Sequence, residues 1–237
     1  MKLLAWLGGA VFVGSLALCT WWYVIWLGRD ATGGGWQAVV VDGLLITLFA
    51  CHHSVLARES VKRRLRIIPS PMMRSSYVWV ASLLLVLVIR LWAPVGGEIY
   101  DVSGLPAVGH AAVQLFGVWL IARAVAGLDP LELAGIRQVI GRQPRQSFEP
   151  PQPETPSTSL QVTGPYRWVR HPLYLGWMLA LFGAAHMTGD RLAFAGWTSL
   201  YLVVGVRWEE RSLERSVGER YSEYARRVRW RIIPYVY

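Results

Sequence analysis

LLAWLGGAVFVGSLALCTWWYVIWL, residues 3–27, holds no charged side chain. A helix crosses a bilayer core of ~30 Å with about 20 apolar residues, so this run is long enough to span. The same texture returns downstream. Residues 36–56 carry only Asp42 and two histidines, residues 75–92 only Arg90, and residues 106–128 only Arg123. Two shorter runs, 172–187 and 192–206, are separated by Thr188, Gly189, Asp190 and Arg191 and read as a helical hairpin with that turn as its breaker. The expected fold is an all-α integral membrane protein of five to six transmembrane helices, one domain over 1–237. Four spans lie within 3–128, and the final hairpin is followed by an amphipathic C-terminal helix. A composition of 54% hydrophobic residues with 13 Trp in 237 excludes an ordinary soluble domain.

Lys2 ahead of an apolar core, with Leu16, Ala17, Leu18 and Cys19 behind it, resembles a lipoprotein signal. Leu18 is too large for the position before a cleaved bond, and the apolar run continues through Trp26, so 3–27 reads as a retained span. Charge gives the orientation, because cytoplasmic loops carry the excess Lys and Arg. Arg58, Lys62, Arg63, Arg64, Arg66 and Arg74 fall in the second connection, Arg137, Arg142, Arg145, Arg167 and Arg170 in the fourth, and the arginines of 207–231 in the tail. The other connections offer Arg29, Arg90 and Arg191. This alternation predicts a bacterial inner-membrane protein with both termini cytoplasmic and an even number of crossings. The net charge of +9 is then an orientation and headgroup signal. The basic residues flank apolar helices and form no soluble domain, so the lipid bilayer is a partner and nucleic acid is not. Cys19 and Cys51 sit inside apolar runs, which excludes a disulfide framework. Residues 142–159, rich in Pro, Gln, Ser and Thr, read as a flexible loop that is either a lid or a passive linker. Nothing in the sequence reports oligomeric state.

Chemistry concentrates in residues 164–234. GPYRWVRHPLYLGW, residues 164–177, places Pro172 in a first helical turn, whose free backbone donors attract a carboxylate. Tyr174 and Trp177 share a helix face, Gly176 admits a close backbone or flat ring, and aromatic faces hold cations such as a sulfonium. Glu209 and Glu210 sit at the cytoplasmic end of the next segment, where a carboxylate takes an ammonium or a ribose diol. The set suits a zwitterionic nucleoside such as S-adenosylmethionine. Leu213, Val217, Tyr221, Tyr224 and Val228 continue as an amphipathic stripe, and Gly218 is expected to break or cap that helix. Taken singly, Arg170 reads as an interfacial anchor, Tyr174 and Trp177 as belt residues, and the two glutamates as partners of Arg211 and Arg215.

Their order and spacing carry more. RHPLYLG, a short hairpin, EERSLERSVGERYSEYARRV and a closing IIP together resemble the isoprenylcysteine carboxyl methyltransferase superfamily over residues 164–234. HHSVLARESVKRR, RSSYVWVASLLL and DPLELAGIRQV resemble, in order, the bacterial methanethiol S-methyltransferases. The resemblance implies an S-adenosylmethionine-dependent enzyme methylating a small thiol to a thioether. An isoprenylcysteine carboxylate or another lipophilic acceptor is the alternative. It also implies a cofactor site lined by His171, Pro172, Tyr174, Gly176, Glu209 and Glu210 with Arg170 and Tyr166 beside it; Leu175 in the same motif, and Tyr221 and Tyr224 beyond the Gly218 break, are read as binding residues with them. Thiolate is the competent nucleophile, so His53 is the expected proton acceptor and Arg58, Arg74 and Arg170 the expected anion stabilisers. The chain departs from the family in its Pro-rich insertion and in the basic residues 229–231. Cys51, His52 and His53 diverge by about 100° per residue on a helix, so no metal site is expected there. His52, His53, His110, His171 and His186 leave a haem-binding or isomerase-like membrane protein as the other reading.

Overall fold

The computed structural model describes residues 1–56, 72–141 and 160–237. The loop at 142–159 and Arg58 therefore lie outside the described residues. The chain is mostly helical: α1 (Lys2–Trp21) with a π-helical turn (Trp22–Trp26), α2 (Trp36–Leu56), α3 (Met73–Leu91), β1 (Glu98–Asp101), α4 (Gly104–Val125), α5 (Pro130–Leu133), α6 (Arg137–Ile140), a 3₁₀ turn (Gly164–Arg167), α7 (Pro172–Phe182), β2 (His186–Thr188), α8 (Gly189–Val217) and α9 (Glu219–Arg227). Among the described residues four helices, Lys2–Trp26, Trp36–Ser54, Met73–Leu91 and Gly104–Val125, are long and apolar enough to cross a membrane. Leu3, Trp6, Leu44, Leu105 and Leu115 on them remain exposed, a surface suited to lipid and unsuited to water. The chain is an integral membrane protein.

Two compact units emerge. The first comprises Met1–Asp101, Leu128–Pro144 and His186–Trp197; the second comprises Val102–Gly127, Arg145–Ala185 and Thr198–Tyr237. In the first, α1 lies against α3, where Gly8 makes room for the Trp79 indole and Trp79 Nε1 donates to Leu4 O at 3.0 Å. Trp22, Trp92 and Phe194 form an edge-to-face cluster with centroids 5.2–5.9 Å apart. The stretch 188–191 is more than the turn expected from sequence. β2 pairs antiparallel with β1, Asp101 opposite His186, so an otherwise helical fold gains a small two-stranded ribbon. Asp190 accepts from Trp92 Nε1 (2.8 Å), Val95 N (3.0 Å) and Gly96 N (3.1 Å). Arg191, 9% exposed, donates to the carbonyls of Tyr23, Val24 and His186. The π-helical turn leaves carbonyls without regular partners, and Arg191 satisfies two of them.

In the second unit α4 packs directly on α7. A Cβ on Gly176 would meet Gly117 O at 2.7 Å, and one on Gly117 would meet Gly176 O at 2.6 Å. Glycine on both helices is what lets the backbones approach this closely. Gln114 Nε2 donates to Ala180 O (3.0 Å) across the same interface. Helix α7 stops at Phe182, earlier than the run 172–187 suggested, and its 11 residues rise about 16 Å. Trp177 Nε1 donates to Thr198 Oγ1 (3.0 Å), binding α7 to α8. Gly218, at φ +66°, separates α8 from α9 as expected.

Candidate active site

The second unit gathers the RHP motif, the paired glutamates and the tail. Residues 228–237 form a hook. Arg170 N and His171 N donate to the carbonyls of Trp230 (2.9 Å) and Arg231 (2.8 Å), and the N–H groups of Arg231, Ile232 and Ile233 all donate to Tyr237 O. Ile232 is fully buried with Met178 and Val206, and Tyr174, Leu175 and Tyr237 pack around them. This hook corrects one expectation. The first donors of α7 are not free for a ligand: His171 N is taken by the tail, and Tyr174 N and Leu175 N return to His171 O. Pro172 has no donor, which leaves Leu173 N as the uncommitted donor of that turn among the described residues.

Glu210 is the buried centre. Its side chain is 8% exposed; Oε1 accepts from Arg170 Nε at 2.6 Å and Oε2 from Arg231 Nε at 2.7 Å. His171 Nε2 lies 3.4 Å from Oε1. Burial alone would raise the Glu210 carboxyl, but His171, Arg170 and Arg231 outweigh it and hold the group well below the ordinary carboxylate range. Arg170 Nη1 also donates to Val228 O (2.9 Å) and Arg229 O (3.1 Å). Glu209 differs from its neighbour. Its side chain is 44% exposed, 3.8 Å from His171 Nδ1, and its Oε2 accepts from the Tyr174 hydroxyl. His171 and Tyr174 stack at 5.3 Å.

Two tyrosines of α9 close one side. Tyr224 Oη donates to Tyr166 O (2.8 Å), and Tyr166 Oη donates to Ala124 O (3.3 Å). The Tyr221 hydroxyl is buried with no hydrogen-bond partner among the described residues. Burial pushes both α9 phenols above their usual range; the Glu210 charge adds to this for Tyr221 and the Tyr166 phenol for Tyr224. Beside Tyr224 a cavity of about 590 Å³ is lined by Leu160, Val162, Thr163, Arg167, Arg220, Glu223, Arg227 and Val228.

Of the residues singled out in sequence, Arg170, His171, Tyr174, Glu209, Glu210, Tyr221 and Tyr224 come together, with Tyr166 bonded to Tyr224. Leu175 belongs to the apolar packing, and Gly176 serves the contact with α4. Arg170 was expected to face a thiolate, but its side chain is 9% exposed and its Nε and Nη1 are committed within the protein. His53 and Arg74 belong to the first unit. There the Tyr77 hydroxyl oxygen lies 2.6 Å from His53 Nδ1, Tyr77 stacks on His52, and Arg74 lies over the Tyr77 ring at 5.8 Å. His110 falls on α4, and His186 Nε2 lies 3.4 Å from Glu98. Arg231 was missed as a site residue. Its signal was the very excess of tail arginines that set the chain apart from the family.

Residues 146–220 match the phospholipid methyltransferase family. The chain is 34% identical over 199 residues to the methanethiol S-methyltransferase of Pseudomonas deceptionensis, covering 83% of this chain and 73% of that one. It is 36% identical over 203 residues to the methanethiol S-methyltransferase of Crocosphaera subtropica, covering 84% and 76%. With the Mycobacterium tuberculosis protein of the same name the identity is 35% over 197 residues, covering 81% and 77%. No solved structure matches the chain.

Proposed function

Because the chain belongs to the family of the methanethiol S-methyltransferases, we propose that it transfers a methyl group from S-adenosylmethionine to a small thiol such as methanethiol, giving a thioether such as dimethyl sulfide. One observation carries this reading: Tyr174, Glu209 and the Arg170–Glu210–Arg231 cluster meet within one unit, and most of that cluster lies in the stretch matching a methyltransferase family. The residues fit the donor. The accessible Glu209 carboxylate suits an ammonium or a ribose diol, and the Tyr174 ring suits a sulfonium.

When bound, S-adenosylmethionine supplies an electrophilic methyl on a sulfonium. The protein's own work is to orient the acceptor and favour its thiolate form. The assignment of His53 as proton acceptor, and of Arg58 and Arg74 as groups holding the anion, rests on the chemistry a thiolate needs and on their place at the cytoplasmic end of the second segment; Arg170 supports Glu210. We place the chain in a bacterial inner membrane as one functional domain with six crossings and both termini cytoplasmic, on the distribution of its arginines.

The test is calorimetric titration of the detergent-purified protein with S-adenosylmethionine and S-adenosylhomocysteine, an absorption spectrum of the same sample, and headspace detection of dimethyl sulfide after adding methanethiol. Saturable binding, no Soret band and thioether formation are expected. A haem spectrum without binding overturns the reading and turns attention to the histidines.

A further inference from the structure

Asp30, Glu98 and His186 stand on three separate connections of the chain, yet the fold brings them to one point. An oxygen of each carboxylate and a ring nitrogen of the histidine all lie within 4.8 Å of one another. His186 Nε2 is 3.4 Å from Glu98 Oε2; it is shielded from solvent and has no hydrogen-bond partner among the described residues. Asp30 and Glu98 are exposed, and among the described residues neither is paired with a lysine or arginine. Two carboxylates side by side without a cation repel each other. The loops that carry them are joined backbone to backbone. Gly34 N and Gly35 N donate to Pro94 O (2.8 Å) and Val95 O (3.3 Å), and Gly189 N donates to Gly97 O (2.8 Å). Thr188 Oγ1 donates to Leu27 O, and β1 pairs with β2. A Cβ on Gly96 would meet Gly33 N at 2.6 Å and one on Gly189 would meet Gly96 O at 2.1 Å, so glycine is what lets the three loops touch.

We infer that Asp30, Glu98 and His186 form a binding site for a first-row divalent metal ion, zinc above all, which clips the loop after the π-helical turn to the β1–β2 ribbon. An imidazole beside two carboxylates is a donor set that suits zinc, whereas magnesium and calcium take oxygen alone. Bonds of about 2.1 Å in a tetrahedron set the ligand atoms about 3.4 Å apart, and His186 and Glu98 already stand at that separation. Asp30 closes the remainder by turning an exposed side chain, and water takes the fourth position. Because the ligands come from three loops, the ion's work is to fasten them together. All three belong to the first unit, while His171, Glu209 and Glu210 belong to the second, so this site is separate from the residues assigned to the methyl donor. The first, third and fifth connections carry one ligand each, and the distribution of arginines puts those three connections outside the membrane. The ion is therefore drawn from the external side.

Zinc itself is the probe. The full chain, free of any polyhistidine tag, is stripped with EDTA, exchanged into chelator-free detergent buffer and titrated with zinc against a chromophoric zinc indicator. A single zinc per chain is expected, undisturbed by millimolar magnesium or calcium, and the thermal midpoint should rise as the site fills. His186→Ala, Glu98→Gln and Asp30→Asn should each weaken zinc by about 10-fold or more, the loss expected when a metal site is disturbed at a ligand, and their midpoints should no longer respond to zinc. His110→Ala, which leaves the three ligands in place, should bind zinc as the parent does. If His186→Ala or Glu98→Gln does not survive purification, Asp30→Asn at its exposed position decides alone. No saturable zinc binding by the parent would mean that His186 and Glu98 are an ion pair only, and overturns the site. Parental affinity in Asp30→Asn, an equal loss in His110→Ala, or displacement of zinc by magnesium overturns it as well.

Discussion

Glu210 is worth more to the fold than a surface carboxylate because removing it strands Arg170, whose side chain is 9% exposed. Breaking one partner of a buried pair costs about 3–5 kcal/mol, so Glu210→Gln should lower the thermal midpoint in detergent clearly. The Glu210 carboxyl is held below its ordinary value in the folded chain. Its stabilisation is therefore present above the ordinary carboxylate pKa of about 4.3 and lost only as pH falls through the folded value. The gap between parent and variant melting should stay constant from about pH 8 to 5 and narrow only in stronger acid; a gap already closing near pH 6 would contradict the geometry. The two α9 tyrosines give a contrasting pair. Tyr224→Phe loses a 2.8 Å bond to Tyr166 O and should cost about 1 kcal/mol. Tyr221→Phe removes a buried hydroxyl that has no hydrogen-bond partner among the described residues, so it should melt at or above the parent. Differential scanning fluorimetry of the two variants side by side decides this.

Among the elements, α7 shows what sequence can and cannot say. Its start was readable, since Pro172 opens a helix wherever the chain allows one, and so was the break at Gly218. Its end was not. The apolar run continues to Met187, but Gly183 ends the helix and residues 186–188 go into a ribbon with β1. Hydropathy has no means of showing that Asp190 and Arg191 are needed by loop N–H groups and by carbonyls of the π-helical turn more than 90 residues away in sequence. The same holds for Arg231, whose arginine excess was visible while its partner was not. The α4–α7 contact makes the helix-scale prediction. Gly176→Val places methyl groups where a single Cβ already meets Gly117 O at 2.7 Å, and overpacking of this kind costs about 1–3 kcal/mol. Gly14→Ala, where a Cβ meets nothing within 4 Å, should be neutral or stabilising by about 1 kcal/mol through helix propensity. Thermal melting of the two glycine variants checks both signs, and a Gly176→Val protein as stable as its parent would show that the two backbones are free to part.

For the whole chain, the reading depends on which side of the membrane each arginine faces. Four spans are plain from length and apolarity, but α7 rises only about 16 Å against a core of ~30 Å, so counting apolar residues does not decide how the last third crosses. Charge supplies what length lacks. Arg191, the basic residue of the fifth connection, is buried and hydrogen-bonded to carbonyls; it is a structural group rather than a loop charge, and the asymmetry sharpens once it is set aside. The exposed basic residues of α9, Arg226 and Arg227, then belong to the face that carries Arg167 and Arg220. Attraction of about 1 kcal/mol per residue to an anionic leaflet favours the cytoplasmic side for all of them. Paired reporter fusions, one active only in the cytoplasm and one only outside it, should mark the junctions after Ile140 and Tyr237 as cytoplasmic and those after Asp101 and Met187 as external. An external signal at Tyr237 with a cytoplasmic one at Ile140 would make the crossings odd. It would put the Glu209–Glu210 cluster on the face away from cytosolic S-adenosylmethionine, and the donor assignment would fall with the topology.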